Sequence, residues 1–305
     1  MDNLKASLTA SIASVVLFTP LDTLRIQMSL QQQKITIKQL AKNIFQQEGL
    51  KGLYRGLGIS LMTQPISTSF YLTLYESIKN NLNQHTFFAN SNNNYAQQAI
   101  ASITTGAIVN TFTNPLWLIK TKIQGKNLKN TENLSQQIQQ YKYRNQNQNQ
   151  KLNNQCQNES VLKKEIKQIY LNNGIKGYFK GLGISQLGLI HVGLYYSIYE
   201  SLKNKVEAHR KQNDEKLNAS DIFLASSVAK GVSIYFTYPT QFIATRLQVL
   251  EQQQPLLQQM KQIYKQEGIK GFFKGIKIEV LRSIPANALT FMIYEKIRLN
   301  RGKLF

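Results

Sequence analysis

Apolar residues in this chain are concentrated in six long segments, which polar stretches separate. The segments cover Leu4–Met28, Gly58–Leu82, Tyr95–Ile123, Gly183–Val206, Asp221–Leu250 and Ile278–Leu299. At about 22 to 30 residues each, they are long enough to cross a bilayer as tilted α-helices. None is uniformly apolar, which suits helices that line a water-filled cavity, although a soluble helical protein would show the same interruptions. The pattern predicts an all-α protein with six long helices, each long enough to span a membrane.

Three motifs recur three times in the same order. The first motif occurs near the ends of the odd-numbered segments, as TPLDTLRIQ, NPLWLIKTK and YPTQFIATR. The second occurs before the even-numbered segments, as EGLKGLYRGLG, NGIKGYFKGLG and EGIKGFFKGIK. The third occurs near the ends of the even-numbered segments, as YESIK, YESLK and YEKIR. Recurrence of this kind indicates an internal repeat. We therefore interpret residues 1–305 as a single domain of three repeats, 1–90, 91–212 and 213–305.

The middle repeat is longer than the other two. Its motif proline and glycine, Pro115 and Gly181, are 66 residues apart, whereas the equivalent Pro20 and Gly56 of the first repeat are 36 residues apart. The additional residues fall in 126–158, a tract dominated by Asn and Gln. A polar tract of low complexity cannot bury a core, so we interpret it as an inserted loop.

Composition and charge narrow the function classes. The formal net charge is +21, from 37 basic and 16 acidic residues, which predicts an anionic partner. The single cysteine, Cys156, excludes an intrachain disulfide framework. The sequence has no metal-ligand, catalytic or groove-reading motif, so we expect no metal, no cofactor, no enzymatic activity and no nucleic-acid partner. The N-terminus has the features of neither a signal peptide nor a transit peptide, so we expect any targeting information to be internal.

The recurring motifs resemble those of the mitochondrial carrier family. The family pattern is P-x-[DE]-x-x-[KR] at the end of each odd helix, a glycine-containing helix on the matrix side, and [FY]-[DE]-x-x-[KR] at the end of each even helix. The resemblance covers nearly the whole chain outside the insertion. It implies six tilted transmembrane helices in three pseudo-symmetric repeats around a central cavity, with short matrix-side helices. The implied location is the mitochondrial inner membrane, or alternatively the peroxisomal membrane, with anionic lipids such as cardiolipin as partners.

The resemblance also implies kinked odd helices and a matrix-side gate where their ends converge. The kinks would lie at Pro20, Pro115 and Pro239. Asp22 would pair with Lys120, because acid and base on facing helices can pair and release. The two other facing pairs would be Trp117 with Ala244 and Gln241 with Arg25. Only the first of these contacts is an ion pair, so this gate departs from the family pattern.

The gate implied on the cytoplasmic side keeps its full set of charges. Its residues are Glu76, Lys79, Glu200, Lys203, Glu295 and Arg298. Because a carrier with one strong gate should rest with that side closed, we expect the cytoplasmic side to be closed.

The same frame implies where a solute would bind. The substrate-binding residues would be Arg282, Lys230, Thr63, Gln64, Gly188 and His191. Arg282 and Lys230 are cations at mid-membrane depth, where an unpaired charge is a functional candidate and suits phosphate or carboxylate. The alternative is structural pairing of these cations with Glu279, and for His191 the alternative is simple packing.

The departures from the family pattern bear on the solute. Trp in PLW and Gln in PTQ resemble the branch that includes the folate/FAD, NAD and pyrimidine nucleotide carriers and the peroxisomal carrier of CoA and adenine nucleotides. The function implied is transport of an anionic nucleotide or nucleotide-like cofactor by alternating access. The alternative is a carrier-like structural subunit of a larger inner-membrane assembly, which contacts neighbouring subunits through loop 126–158.

Overall fold

The computed structural model describes residues 2–31, 35–84, 94–126, 161–212, 219–250 and 256–287, and all regular secondary structure within them is helical. In chain order the α-helices are α1 (Asp2–Leu30), α2 (Ile37–Glu48), α3 (Leu50–Leu53), α4 (Leu57–Gln84), α5 (Asn94–Gly125), α6 (Val161–Asn173), α7 (Leu182–Leu187), α8 (Ile190–Gln212), α9 (Ala219–Val249), α10 (Leu256–Glu267) and α11 (residues 276–287). Short 3-10 helices occupy Ile175–Phe179 and Ile269–Phe273. The insertion beyond Lys126, and the predicted gate residues Glu295 and Arg298, lie outside the described residues.

The long helices form a ring. Helix α1 packs on α4, α4 on α5, α5 on α8, and α8 on α9. The three odd helices of the repeats, α1, α5 and α9, also contact one another in every pair. The repeats are therefore arranged around the contact between their odd helices.

Three small cores, built from equivalent positions, connect the repeats. One contains Ile59, Ile119 and Ile169. In the second, Ile184 packs against Ile243 and Ile263, and the third contains Leu24, Ile44 and Ile278. Each core joins the start of one repeat's even helix to the odd helix and short amphipathic helix of the next repeat. The third core joins the last repeat to the first, which closes the ring by burial of apolar side chains.

The predicted fourth long helix is interrupted, which corrects the expectation of a continuous segment over Gly183–Val206. Helix α7 ends at Leu187 and α8 begins at Ile190. Between them the hydrogen bonds tighten to the 3-10 pattern, since the Leu189 N–H donates to the Gln186 carbonyl at 3.0 Å. The other predicted odd-helix and even-helix segments within the described residues are continuous helices.

The motif prolines lie within continuous helices. Pro20, Pro115 and Pro239 are inside α1, α5 and α9, respectively. A proline in a helix interior removes one backbone hydrogen bond and favours a bend. The kinks expected at these positions stay predictions.

One motif glycine is required by close packing between repeats. Gly275 has φ +92°, and a Cβ there would lie 2.6 Å from the Tyr238 hydroxyl oxygen and 3.3 Å from the Arg25 carbonyl oxygen. Any larger residue would be strained in its backbone and would force the Tyr238 hydroxyl to move. Gly275 thus allows α11 to begin directly against α1 and α9.

Among the described helices, none combines the length with the apolar character that a bilayer crossing demands.

Candidate functional site

The C-terminal ends of α1, α5 and α9 meet. A Cβ on Gly125 of α5 would lie 2.7 Å from Val249 Cγ1 of α9 and 3.0 Å from Leu30 Cδ1 of α1. The side-chain amide of Gln27 donates to the Gln124 carbonyl at 3.2 Å, which ties α1 to α5. We call this region, where the last turns of the three odd helices converge, the odd-helix end.

Five charged side chains gather just inside this convergence. This charge cluster consists of Asp22, Arg25, Lys120, Glu279 and Arg282. Lys120 Nζ lies 2.8 Å from Asp22 Oδ2, so the contact predicted between these two residues is present and links α5 to α1. Three cations and two carboxylates give the cluster a net charge of +1.

The partner of Arg25 differs from the one predicted. Its Nε lies 3.2 Å from Glu279 Oε2 on α11 and 3.5 Å from Asp22 Oδ1 on its own helix. The sequence predicted Gln241 as its partner across the gate. A guanidinium is stabilised more by a carboxylate than by a neutral amide, and the α11 carboxylate is within reach.

Arg282 is paired, so the prediction of an unpaired cation was wrong. Its Nη2 donates to Glu279 Oε1 at 2.7 Å and its Nε donates to Glu279 Oε2 at 3.2 Å. Asp22 Oδ1 lies 3.9 Å from its Nε. The structure instead shows the alternative, in which Arg282 pairs with Glu279. The two residues are three apart on one helix and therefore share a face.

Trp117 has polar contacts where the sequence predicted an apolar contact with Ala244. Its Nε1–H donates to the Ser67 hydroxyl on α4 at 3.3 Å. Lys120 Nζ lies 4.6 Å from the centroid of the Trp117 ring, a cation–π geometry. Trp117 therefore supports the lysine that pairs with Asp22.

His191 and Lys230 form a second polar group. Lys230 Nζ lies 2.9 Å from His191 Nε2, and Ser233 Oγ lies 2.6 Å from His191 Nδ1. This pattern fits a neutral imidazole that accepts from the ammonium through Nε2, a tautomer inferred from its partners. Lys230 is also 5.6 Å from the Tyr195 ring centroid and lies within electrostatic range of Glu279 and Arg282.

The other predicted substrate contacts differ in accessibility. Thr63 is fully buried and its hydroxyl donates to the Ile59 carbonyl at 2.8 Å, so it is closed to a solute in this conformation. Gln64 is half-buried on the same helix. Gly188 lies at the break between α7 and α8, where a Cβ would be 3.0 Å from the Ser185 carbonyl oxygen and 3.7 Å from Thr240 Oγ1.

The opposite end of the ring is different. We call this region, where the even helices end, the even-helix end. Its four described motif charges are Glu76, Lys79, Glu200 and Lys203. These four side chains form no ion pair with one another. The expectation that the chain rests with the cytoplasmic side closed stays a prediction, because Glu295 and Arg298 of that gate lie outside the described residues.

A second set of buried charges, which the motifs did not predict, lies at the odd-helix end. Arg246 Nε donates to the Ser29 carbonyl at 2.8 Å, and its Nη2 lies 3.0 Å from Glu267 Oε1. Lys274 Nζ contacts Glu267 Oε2 at 2.9 Å and the Gln31 carbonyl at 3.0 Å. Both cations satisfy carbonyls at the end of α1 that have no partner within the helix. The signal was available, since Arg246 lies seven residues after its motif proline, where the second repeat has a lysine.

This arrangement suits reversible binding of an anion. Of the charge cluster, Arg282 is the most exposed side chain at 29 %, whereas Glu279 is 6 % exposed. Lys230 adds another positive charge nearby. Within the described residues there is no group of His, Cys, Asp or Glu placed to hold a metal ion.

Comparison with known proteins gives a consistent picture. A sequence profile described as "Mitochondrial carrier protein" matches residues 1–86, 91–210 and 215–303. The "Mitochondrial nicotinamide adenine dinucleotide transporter 1" of Saccharomyces cerevisiae is 30% identical over 261 residues, covering 84% of this chain and 63% of the relative, so the chain spans less than two thirds of that protein's length.

Two further relatives come from a plant and a mammal. The "Nicotinamide adenine dinucleotide transporter 1, chloroplastic" of Arabidopsis thaliana is 28% identical over 263 residues, 84% of this chain and 75% of the relative. "Solute carrier family 25 member 33" of Homo sapiens is 28% identical over 266 residues, 85% of this chain and 74% of the relative. The profile covers all three repeats, and so the chain belongs to the mitochondrial carrier family, as a carrier of the mitochondrial inner membrane and not an enzyme.

Proposed function

We propose that this chain transports an anionic nucleotide or nucleotide-like cofactor across the mitochondrial inner membrane by alternating access, with NAD as the first solute to test. The observation that carries the proposal is the position of Arg282, a partly exposed guanidinium beside an otherwise buried charge cluster with net positive charge. NAD is chosen because several relatives are named as nicotinamide adenine dinucleotide transporters.

Arg282 and Lys230 would bind the anionic part of the solute. The fork of the arginine suits two phosphate oxygens at once, whereas the lysine acts as a point charge. His191 would hold the lysine in place through the 2.9 Å contact between Lys230 Nζ and His191 Nε2. Gly188 would leave room beside the helix break for a flat base, and Gln64 would hydrogen-bond the base or ribose.

Exposed apolar side chains support six membrane-spanning segments. Large apolar residues are exposed at equivalent positions in all three repeats. On the odd helices these are Leu17, Phe112 and Phe236, and on the even segments Met62, Leu187 and Leu281. A threefold band of exposed apolar residues is costly in water and is expected where lipid covers the protein. We propose that the long helices span the membrane and surround a central cavity, with repeats 1–90, 91–212 and 213–305.

The two ends would act as alternating gates. In the conformation described, the odd-helix end is held by ion pairs between repeats, including Lys120 with Asp22. In the family topology this end faces the matrix, so a solute would enter from the cytoplasmic side. A carrier must break this network to release the solute, and binding must supply the required free energy.

Uptake of NAD into liposomes by the purified full chain tests this proposal. Thermal-shift measurements with NAD, FAD, folate and CoA come first, because a solute bound only by the folded protein raises its melting temperature. We expect saturable uptake for at least one of these solutes, and Lys230→Ala should reduce it by a smaller factor than Arg282→Ala. A folded protein that binds and transports none of them would contradict the proposal.

A further inference from the structure

Glu279 is an acidic residue at a position where the other two repeats have a serine. It lies four residues after the motif glycine Gly275, and the equivalent residues of the first two repeats are Ser60 and Ser185. Its side chain is only 6 % exposed. A buried carboxylate is costly unless charged or polar partners surround it, so its partners show why it is tolerated.

The Glu279 carboxylate joins two arginines that have different proposed roles. Oε1 accepts hydrogen bonds from Arg282 Nη2 at 2.7 Å and from the Ser283 hydroxyl at 2.9 Å. Oε2 accepts from Arg282 Nε at 3.2 Å and lies 3.2 Å from Nε of Arg25. Arg282 is the proposed solute-binding cation, and Arg25 belongs to the network that closes the odd-helix end. One carboxylate therefore contacts both arginines.

We propose that Glu279 is a built-in counter-ion that couples solute binding to the opening of the odd-helix end, an inference that rests on the proposed function. Without solute, Glu279 occupies the fork of Arg282 in the way that a phosphate would. An anionic solute reaching the exposed side of Arg282 competes with Glu279, because the carboxylate already holds the Nε and Nη2 donors and both anions are attracted to the same positive charge.

Displacement of Glu279 loosens one edge of the ring. At this end, the charge contacts between α1 and α11 are Arg25 with Glu279 and the 3.9 Å contact of Arg282 with Asp22. A solute bound to Arg282 removes the contact between Arg282 and Asp22. The contact between Arg25 and Glu279 remains, but the Glu279 carboxylate has then lost its two hydrogen bonds from Arg282. Gln241, which faces this edge in the family frame, is neutral and supplies no replacement charge. Solute binding thus weakens the closed network between α1 and α11, where no other charge replaces the lost contact.

Glu279→Gln separates this role from simple packing, because glutamine keeps the shape and loses the charge. The purified full chain is titrated with pyrophosphate, and its melting temperature is followed. We expect half-maximal stabilisation at about a tenfold lower concentration than in the wild type, since a competing charge has been removed. In liposomes the same variant should take up NAD more slowly although it binds anions more tightly. The control is Glu207→Gln, which neutralises a 41 % exposed glutamate paired with Lys211 and should leave the pyrophosphate midpoint unchanged.

A second variant covers the event that Glu279→Gln does not fold. Glu279→Asp keeps the charge but is one methylene shorter, so it cannot contact Arg25 and Arg282 together. Its pyrophosphate midpoint should fall by about threefold. An unchanged or higher midpoint in whichever variant folds overturns the counter-ion role, even where the wild type transports NAD. A lower midpoint in a chain that does not take up NAD supports the counter-ion role and refutes NAD as the solute.

Discussion

The two ends of the helix ring differ in a way that the motifs alone do not predict. At the odd-helix end, two of the three motif acids are replaced, by Trp117 and Gln241, yet Lys120 contacts Asp22 at 2.8 Å. At the even-helix end the motif charges are complete, yet the four that the structure describes form no ion pair with one another. Among the described residues, the number of motif charges at each end therefore does not predict where those charges pair. The convergence of the helices that carry them decides it.

The odd-helix end also takes a charge from outside its motif. Arg25 pairs with Glu279 of α11, a residue for which the motif has no position. The gate contact of Arg25 is therefore made with the start of the even helix α11 and not with Gln241 of the odd helix α9. This move brings the gate into direct contact with Arg282, the proposed solute-binding residue.

Removal of Arg282 should have the largest effect. Arg282→Ala should lower uptake of the transported anion about a hundredfold, because removing the partly exposed guanidinium takes away the solute's partner and leaves the buried Glu279 without its main counter-ion. The measurement is initial uptake into liposomes. The matched control is Arg210→Ala, since Arg210 is 28 % exposed and paired with Asp221 at 3.1 Å, close to the 29 % exposure of Arg282. Equal uptake by the two variants would show that Arg282 does not bind the solute.

Reversal of the Asp22–Lys120 pair should come next. Either single reversal, Asp22→Lys or Lys120→Asp, should destabilise the closed conformation by about 3–5 kcal/mol, because it leaves buried like charges together. The double reversal should recover part of the loss in melting temperature and uptake, which is the sign of a direct pair, but not all of it, because Asp22 also contacts Arg25 and Arg282. A double variant that is no better than the singles would show that the contact does not hold this end closed. Reversal of the exposed Glu207–Lys211 pair is the control and should change little.

Neutralising the even-helix end should have a smaller effect on stability. Lys79→Gln and Glu200→Gln should each change the free energy of unfolding by less than about 0.5 kcal/mol, because these side chains make no ion pair with each other in this conformation. Uptake should still slow, because the charges are expected to pair in the opposite conformation. Destabilisation as large as that of Asp22→Lys would mean that both ends are closed together.

Deletion of the insertion should have the smallest effect. Removal of residues 127–158 keeps Lys126, whose ammonium pairs with the buried Glu165 of α6. Because loop closure depends only weakly on length, with about 0.6 kcal/mol for each doubling, melting temperature and uptake should hardly change. Release of the shortened chain from a large complex on a native gel would favour the role of an assembly subunit. Loss of uptake without any change in assembly would place the loop in the transport cycle.

Much of the architecture could be predicted from the sequence. The recurring motifs identified three repeats because each occupies one structural position three times, as the equivalent core residues Ile44, Ile169 and Ile263 show. The Asp22–Lys120 contact followed in the same way, since both residues occupy motif positions on neighbouring odd helices. The break after Leu187 was not predictable, because apolar periodicity continues through it.

The sequence by itself determined the repeats, the family and the positions of the charged residues, since these depend on residue type and spacing along one chain. Only the tertiary structure decided which charges meet. Arg282 and Glu279 are three residues apart on one helix, but whether they turn towards each other, towards Arg25 or into the cavity depends on the rotation of α11 against α1. That rotation is fixed by close contacts such as those of Gly275 with Arg25 and Tyr238, which join residues far apart in the chain. Ion pairs act over a few ångströms, so a motif can name the candidates while packing selects the pairs.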